Sequence, residues 1–218
     1  MRNRSLLFSS IGVCIALASC TDAVGPRASW PPSGGGVPSV QFDAVRNRVN
    51  ILVESPTAPP LEAYSLEFWA IQGAGKTVSV NYRPGSNAVS NRFMRLVIPQ
   101  GTQLYRPDGS RVADGDSVRI TATIDRQLLL VTFGPGGLAF GGSRPTRLRL
   151  YWANANLDLN GDGLVNQLDE DIIRTLLVIA YQPAAGDPWS IPSDQEKSPD
   201  NRYIEISLPH FSNYAISW

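Results

Sequence analysis

The residues most able to do chemistry sit together late in the chain, at Asp158-Leu-Asn-Gly-Asp-Gly-Leu-Val-Asn-Gln-Leu-Asp169. Side-chain oxygens fall at the first (Asp158), third (Asn160), fifth (Asp162), ninth (Asn166) and twelfth (Asp169) positions of this stretch. Gly163 stands sixth, where the backbone must turn sharply, and Leu164 offers its carbonyl from the seventh. Such spacing wraps a short chain around a hard cation that takes six to eight oxygen ligands. Calcium is the expected ion, because magnesium prefers a rigid octahedron that keeps several waters. Three carboxylates with neutral Asn between them predict modest affinity, with a dissociation constant on the order of 10⁻⁴ to 10⁻³ M. Val165, in eighth place, is free to point away from the ion into apolar packing. After the loop, Leu168, Ile172 and Leu176 recur at helical spacing, with Ile173 and Leu177 beside them.

A loop of this pattern followed by such a helix resembles a calcium-binding EF-hand, and more closely the dockerin variant, which also closes its loop with Asp. The resemblance implies that Asp158, Asn160, Asp162, Asn166 and Asp169, with the Leu164 carbonyl, are the calcium ligands. Two features depart from it. Asp169 is shorter than the Glu usual at position twelve, and no entering helix is visible before Asp158. Dockerins also carry two tandem calcium segments that jointly grip their partner; a single segment here argues against that kind of docking.

Other constellations give less. Ala70-Ile-Gln-Gly-Ala-Gly-Lys76-Thr77 approaches a phosphate-binding loop. Such a loop must lead from a strand into a helix, whereas Thr77-Val-Ser-Val-Asn-Tyr82 alternates like a strand. The sole histidine, His210, lies between Pro209 and Phe211 and is expected to be a structural hydrogen-bonding residue. There is no G-x-S-x-G nucleophile elbow and no His cluster for zinc. Ser207 and Ser212 are near His210 in sequence, but a triad is a matter of geometry. Glu54, Glu67 and Glu205 read as solvent-facing charges on strands rather than as a glycosidase pair. Trp69, Trp152, Trp189 and Trp218, with Tyr151, Tyr181 and Tyr203, could line a sugar platform; spread over many segments, they read first as core and sandwich edge. The expectation is therefore a non-catalytic chain.

The elements that must position the loop are strands. The chain has 218 residues, 19 basic and 19 acidic, with 19 Gly and 17 Pro. That balance gives no electrostatic case for nucleic acid, and the richness in turn residues suits many short strands. Strands are predicted at Asn50 to Glu54, Tyr64 to Ala70, Val78 to Tyr82, Arg92 to Ile98, Ser117 to Ile124, Leu128 to Phe133, Thr146 to Trp152, Leu177 to Tyr181, Tyr203 to Leu208 and Tyr214 to Trp218. The second and third are expected to pair as a hairpin through Gly73-Ala-Gly75. The predicted fold class is all-β: one antiparallel β-sandwich over residues 46–218, with a short loop-helix element inserted at 158–177.

At Leu96-Val-Ile-Pro-Gln-Gly101, at Phe133-Gly-Pro-Gly-Gly-Leu-Ala-Phe140 and at His210-Phe-Ser-Asn-Tyr-Ala-Ile-Ser217, the residues resemble the β-sandwich domain shared by zonula occludens proteins, netrin receptors and ankyrins, which has many bacterial relatives. Thr146-Arg-Leu-Arg-Leu150 stands at the strand that follows the second motif there. The resemblance spans roughly residues 92–218 and implies a non-catalytic module that works through interactions. The calcium-like loop is an insertion to which that family's roles do not extend.

The N-terminus reads as a leader. Arg2 and Arg4 precede an apolar run, Leu6 to Ala16, of the length a secretory signal needs and too short to span a bilayer. It ends in Leu17-Ala-Ser-Cys20, similar to the lipobox of bacterial lipoproteins, in which cleavage precedes an acylated cysteine. This implies a signal peptide over 1–19, lipidation of Cys20 and an anchor in the cell envelope, on the outer membrane or the periplasmic face of the inner one. Cys14 leaves with the leader, so no internal disulfide can form and stability rests on the core or a bound ion. Loss of Arg2 and Arg4 lowers the basic count from 19 to 17 against 19 acidic residues, a net charge of −2. Residues 20–45, holding Pro26, Pro31, Pro32, Gly34 to Gly36 and Pro38, have too little apolar surface to fold and read as a spacer, with Trp30 the one aromatic between Thr21 and Val40. The expected partners are the membrane, through the anchor, and a protein or a glycan.

Overall fold

A computed structural model describes residues 49–83 and 91–218. The expected leader, Cys20 and the spacer lie outside the described residues. All described residues belong to one compact unit, and none of their helices is long and apolar enough to cross a membrane.

The fold is all-β, two five-stranded antiparallel sheets facing each other. The strands are β1 (Ser65–Ile71), β2 (Lys76–Asn81), β3 (Arg92–Ile98), β4 (Gln103–Tyr105), β5 (Ser117–Ile124), β6 (Leu130–Gly134), β7 (Ala139–Gly141), β8 (Thr146–Tyr151), β9 (Val178–Gln182), β10 (Gln195–Ser198), β11 (Tyr203–Leu208) and β12 (Asn213–Ser217); one helix, α1 (Gln167–Thr175), stands between β8 and β9. The first sheet has the order β1-β5-β6-β12-β9 and the second β10-β11-β8-β3-β2, while β4 and β7 form a small two-stranded sheet. Alternation builds both faces. Ile120, Ala122 and Ile124 of β5 turn inward, opposite Met94, Leu96 and Ile98 of β3, and Leu148 and Leu150 of β8, all essentially inaccessible to solvent.

One expectation is overturned at the Gly73-Ala-Gly75 turn. β1 pairs with β5, and β2 with β3, so the turn arches from one sheet to the other instead of closing a hairpin. Alternation reports which face of a strand is buried, but not which strand lies beside it. The arch is stitched to the Pro99–Thr102 turn, Gly73 N donating to Thr102 O and Gly101 N to Gly73 O. Gly75 passes so close that an added Cβ would lie 3.2 Å from Gln100 N. Asn50 to Glu54 also differs from expectation. It is not a strand but a cross-link: Leu52 N donates to Ile216 O, Leu129 N to Leu52 O, and Asn156 N to Val53 O. It thereby ties the first sheet to the approach of the acidic loop.

The three motif segments noted above converge on one end of the sandwich. Strand β4, after the Pro99–Gly101 turn, pairs with β7. Ala139 of β7 then bridges His210. Phe211 stacks on Phe133 and meets Phe140 edge-on, each at 4.8 Å between ring centres. His210 lies in this structural cluster, its Nδ1 2.8 Å from Ser212 Oγ, and its carbonyl accepts the Tyr214 hydroxyl at 2.6 Å.

Candidate metal loop

The chain leaves β8 at Tyr151, passes the buried Trp152 and reaches Asp158 without an entering helix. Each polar side chain of the loop then folds back on the loop's own backbone. Asp158 Oδ1 accepts Gly161 N and Asp162 N at 2.9 and 3.1 Å, and its Oδ2 accepts Gly163 N at 2.9 Å. Asn160 Oδ1 accepts Asp162 N, and Asp162 Oδ1 accepts Leu164 N at 2.8 Å. Asp162 Oδ2 is a gathering point, receiving the amide nitrogens of Asn160 at 3.0 Å and Asn166 at 2.9 Å. Donation by the Leu164 N–H, joined by the Asn160 and Asn166 amides, holds the Asp162 carboxyl below its ordinary range. The tight winding relies on glycine at Gly163, whose φ of +86° is left-handed.

Asp169 closes the loop from below and is wholly buried. Its Oδ1 accepts Leu159 N at 2.8 Å and Asn160 N at 3.1 Å, and its Oδ2 accepts Asn166 N at 2.9 Å. Asn166 is the N-cap of α1, with its Oδ1 on Leu168 N, so loop and helix share a reciprocal capping box. Along α1, Ile172, Leu176 and the following Leu177 enter the common core, and Lys197 of β10 ties down its far end by donating to the carbonyls of Ile173 and Arg174 at 3.0 and 2.9 Å. The inserted element is therefore anchored at both ends.

Asn160, Asp162 and Asn166 come together at one point; Asp158 curls around the Gly161–Gly163 backbone; Asp169 serves the backbone beneath. Among the described residues, no three His, Cys, Asp or Glu side chains gather into a metal-holding group. Val165 does not pack inward: it is 62% exposed, beside Leu164 at 67% and Leu168 at 42%. The donor chemistry and the winding fit a hard cation. Asp158 Oδ2, Asp162 Oδ1 and Asp169 Oδ2 each accept a single N–H and keep a further lone-pair direction for a cation. Asp158 Oδ1, Asp162 Oδ2 and Asp169 Oδ1 each accept two, and the Asn160 and Asn166 amides turn their nitrogens toward Asp162.

What sequence reading missed lies elsewhere. Arg92, Arg95, Arg147 and Arg149, separated in the chain, come to one outer face of the second sheet, where Glu205 pairs with Arg147 at 2.9 Å and Arg149 at 2.7 Å. Only strand register places them together (Arg95↔Arg149, Glu205↔Arg149). Comparison of the chain with family models, curated proteins and solved structures returned no match.

Proposed function

We propose that this chain is an envelope-anchored lipoprotein, a non-catalytic interaction or structural module whose acidic loop is stapled by calcium. Support for the anchor is the Leu17-Ala-Ser-Cys20 sequence after an apolar run. Support for the calcium site is the loop itself, and one observation carries it: the polar side chains at positions one, three, five and nine wind onto a single short turn, closed at position twelve by a buried carboxylate. Asp158, Asn160, Asp162, Asn166 and Asp169, with the Leu164 carbonyl, would hold the ion. Bound there, calcium would neutralise three carboxylates crowded into twelve residues. The role is that of a staple, because the loop connects β8 to a helix fixed in the core by Ile172, Leu176 and Leu177 and held at its far end by Lys197.

A ligand that binds only the folded state stabilises it by mass action, by about 2.7 kcal/mol at a hundred times its dissociation constant. Thermal melts of the full chain in non-ionic detergent, with millimolar calcium and then with chelator, test the loop. The expected result is a midpoint raised by calcium in the wild type and insensitive to it in Asp158→Ala. An unchanged wild-type midpoint, or an equal response in the variant, removes calcium from the account.

A further inference from the structure

The outer face of the second sheet carries an arginine–tyrosine ladder that the calcium loop does not use. Tyr151 and Tyr203 are cross-strand partners with ring centres 5.5 Å apart. The Arg149 guanidinium lies 3.9 Å above the Tyr203 ring, and that of Arg92 lies 5.6 Å from the Tyr151 ring and donates to its hydroxyl at 3.1 Å. Glu205, with a side chain only 11% exposed, receives both Arg147 and Arg149 from below. Arg95 stands directly across from Arg149 and makes no ion pair among the described residues. Like charges placed opposite each other on neighbouring strands disfavour the sheet. Here one recessed carboxylate and two aromatic faces hold Arg147, Arg149 and Arg92 in place before anything binds, and Arg95 stands beside them. With Glu196 across from Glu205, the four arginines outnumber the two acids by two among the described residues of this face.

We propose that this face is a docking surface for a linear acidic polysaccharide of the polyuronate type; the inference names a partner for the module proposed above and does not depend on its calcium. The charge complementarity is specific, because an oriented guanidinium forms paired hydrogen bonds with a planar carboxylate. Strands about 4.8 Å apart, with same-face residues about 6.8 Å apart along each strand, present these forks as a flat grid suited to a chain bearing a carboxylate on every sugar or every second one. A protein partner would need an apolar centre, whereas the exposed side chains in the Arg147–Arg95 region offer little beyond the half-buried Val97. A nucleic acid would need a strongly positive field and free aromatic faces for its bases; Glu196 and Glu205 weaken the one, and the arginines cover the other.

The test is titration of the full chain in non-ionic detergent with hyaluronate, with neutral dextran and a single-stranded DNA oligomer as comparisons, throughout in chelator so that loss of calcium cannot be confused with loss of the face. Binding to hyaluronate that weakens with salt and falls about tenfold or more in Arg95→Glu and in Arg147→Gln is the expected result. Arg119→Gln, on the outer face of the first sheet, should bind as the wild type does. Melting midpoints of each variant confirm that it folds, and Arg147→Gln keeps the test intact should Arg95→Glu not fold. The proposal is overturned by hyaluronate binding no better than dextran, by undiminished binding in both variants, or by DNA binding as tightly as hyaluronate.

Discussion

At the scale of single residues, polar groups in this protein are settled by burial more than by the sign of their charge. Asp169 is wholly buried yet complete, because three backbone N–H groups donate to it. Glu54 shows the opposite case. Its carboxylate lies beside the Tyr82 hydroxyl, which is buried without a well-formed hydrogen bond. Removal from water raises the Glu54 pKa, and contact with the Tyr82 hydroxyl pulls it back only in part. A carboxyl raised on folding favours the folded state at low pH. That contribution is lost as pH climbs from the ordinary carboxylate value through the folded one. Glu54→Gln keeps an acceptor near Tyr82 and removes the desolvated charge. The variant should therefore melt higher than the wild type at pH 7, with the gap closing as pH falls below about 4. A variant that melts lower at pH 7 would mean that the Tyr82 contact with the ionised form outweighs desolvation.

At the scale of elements, α1 shows what sequence could and could not tell. Its existence was legible, since Leu168, Ile172 and Leu176 recur at helical spacing after the loop, whereas the Asn166–Asp169 capping box that starts it comes from the structure. Its docking was only half legible, since Ile172 and Leu176 are buried while Leu168 and Val165 face solvent. A nine-residue helix has little stability of its own and is held by what it packs against. Lys197 is the part no local pattern could reveal, because it arrives from β10, more than twenty residues later. Burial lowers the Lys197 pKa, yet its two hydrogen bonds satisfy carbonyls that a helix end leaves open. Lys197→Met preserves the aliphatic stem and removes the donors. Stability to denaturant should drop by about 1 kcal/mol, and amide exchange should quicken at Leu176 and Leu177 before it changes in the sheets. Uniform exchange across the molecule would show that the lysine is not a local clasp. The strands divide in the same way. Alternating runs such as Ser117–Ile124 and Arg92–Ile98 declare themselves from end to end. Strands β4, β7 and β10, of three, three and four residues, are too short for a period to register.

For the whole molecule, the central problem of a sandwich is its edges, where backbone groups have no neighbouring strand. Two glutamines meet that need by imitating a strand with a side chain. Gln195 of β10, in the second sheet, accepts from Ile179 N at 2.7 Å and donates to Ile179 O at 3.1 Å, clasping β9 at the margin of the first. Gln72, just beyond β1 and 7% exposed, accepts from Leu104 N at 2.8 Å and so ties the first sheet to the β4–β7 pair. Both sheets share one apolar core with α1, so local loosening at an edge is opposed by packing everywhere else. Gln72→Leu fills similar space but leaves the Leu104 N–H buried and unpartnered, a loss of about 1 to 3 kcal/mol. For a domain of this size that lowers the melting midpoint by roughly 2 to 12 °C. Gln195→Leu should cost less, because β9 is also held by β12 and by the Tyr181–Ser190 bridge. In both variants the loss should appear in one transition, with tryptophan fluorescence and far-ultraviolet circular dichroism falling together. Separate transitions by the two probes would show that the glutamines, rather than the common core, make the sheets fold as a unit.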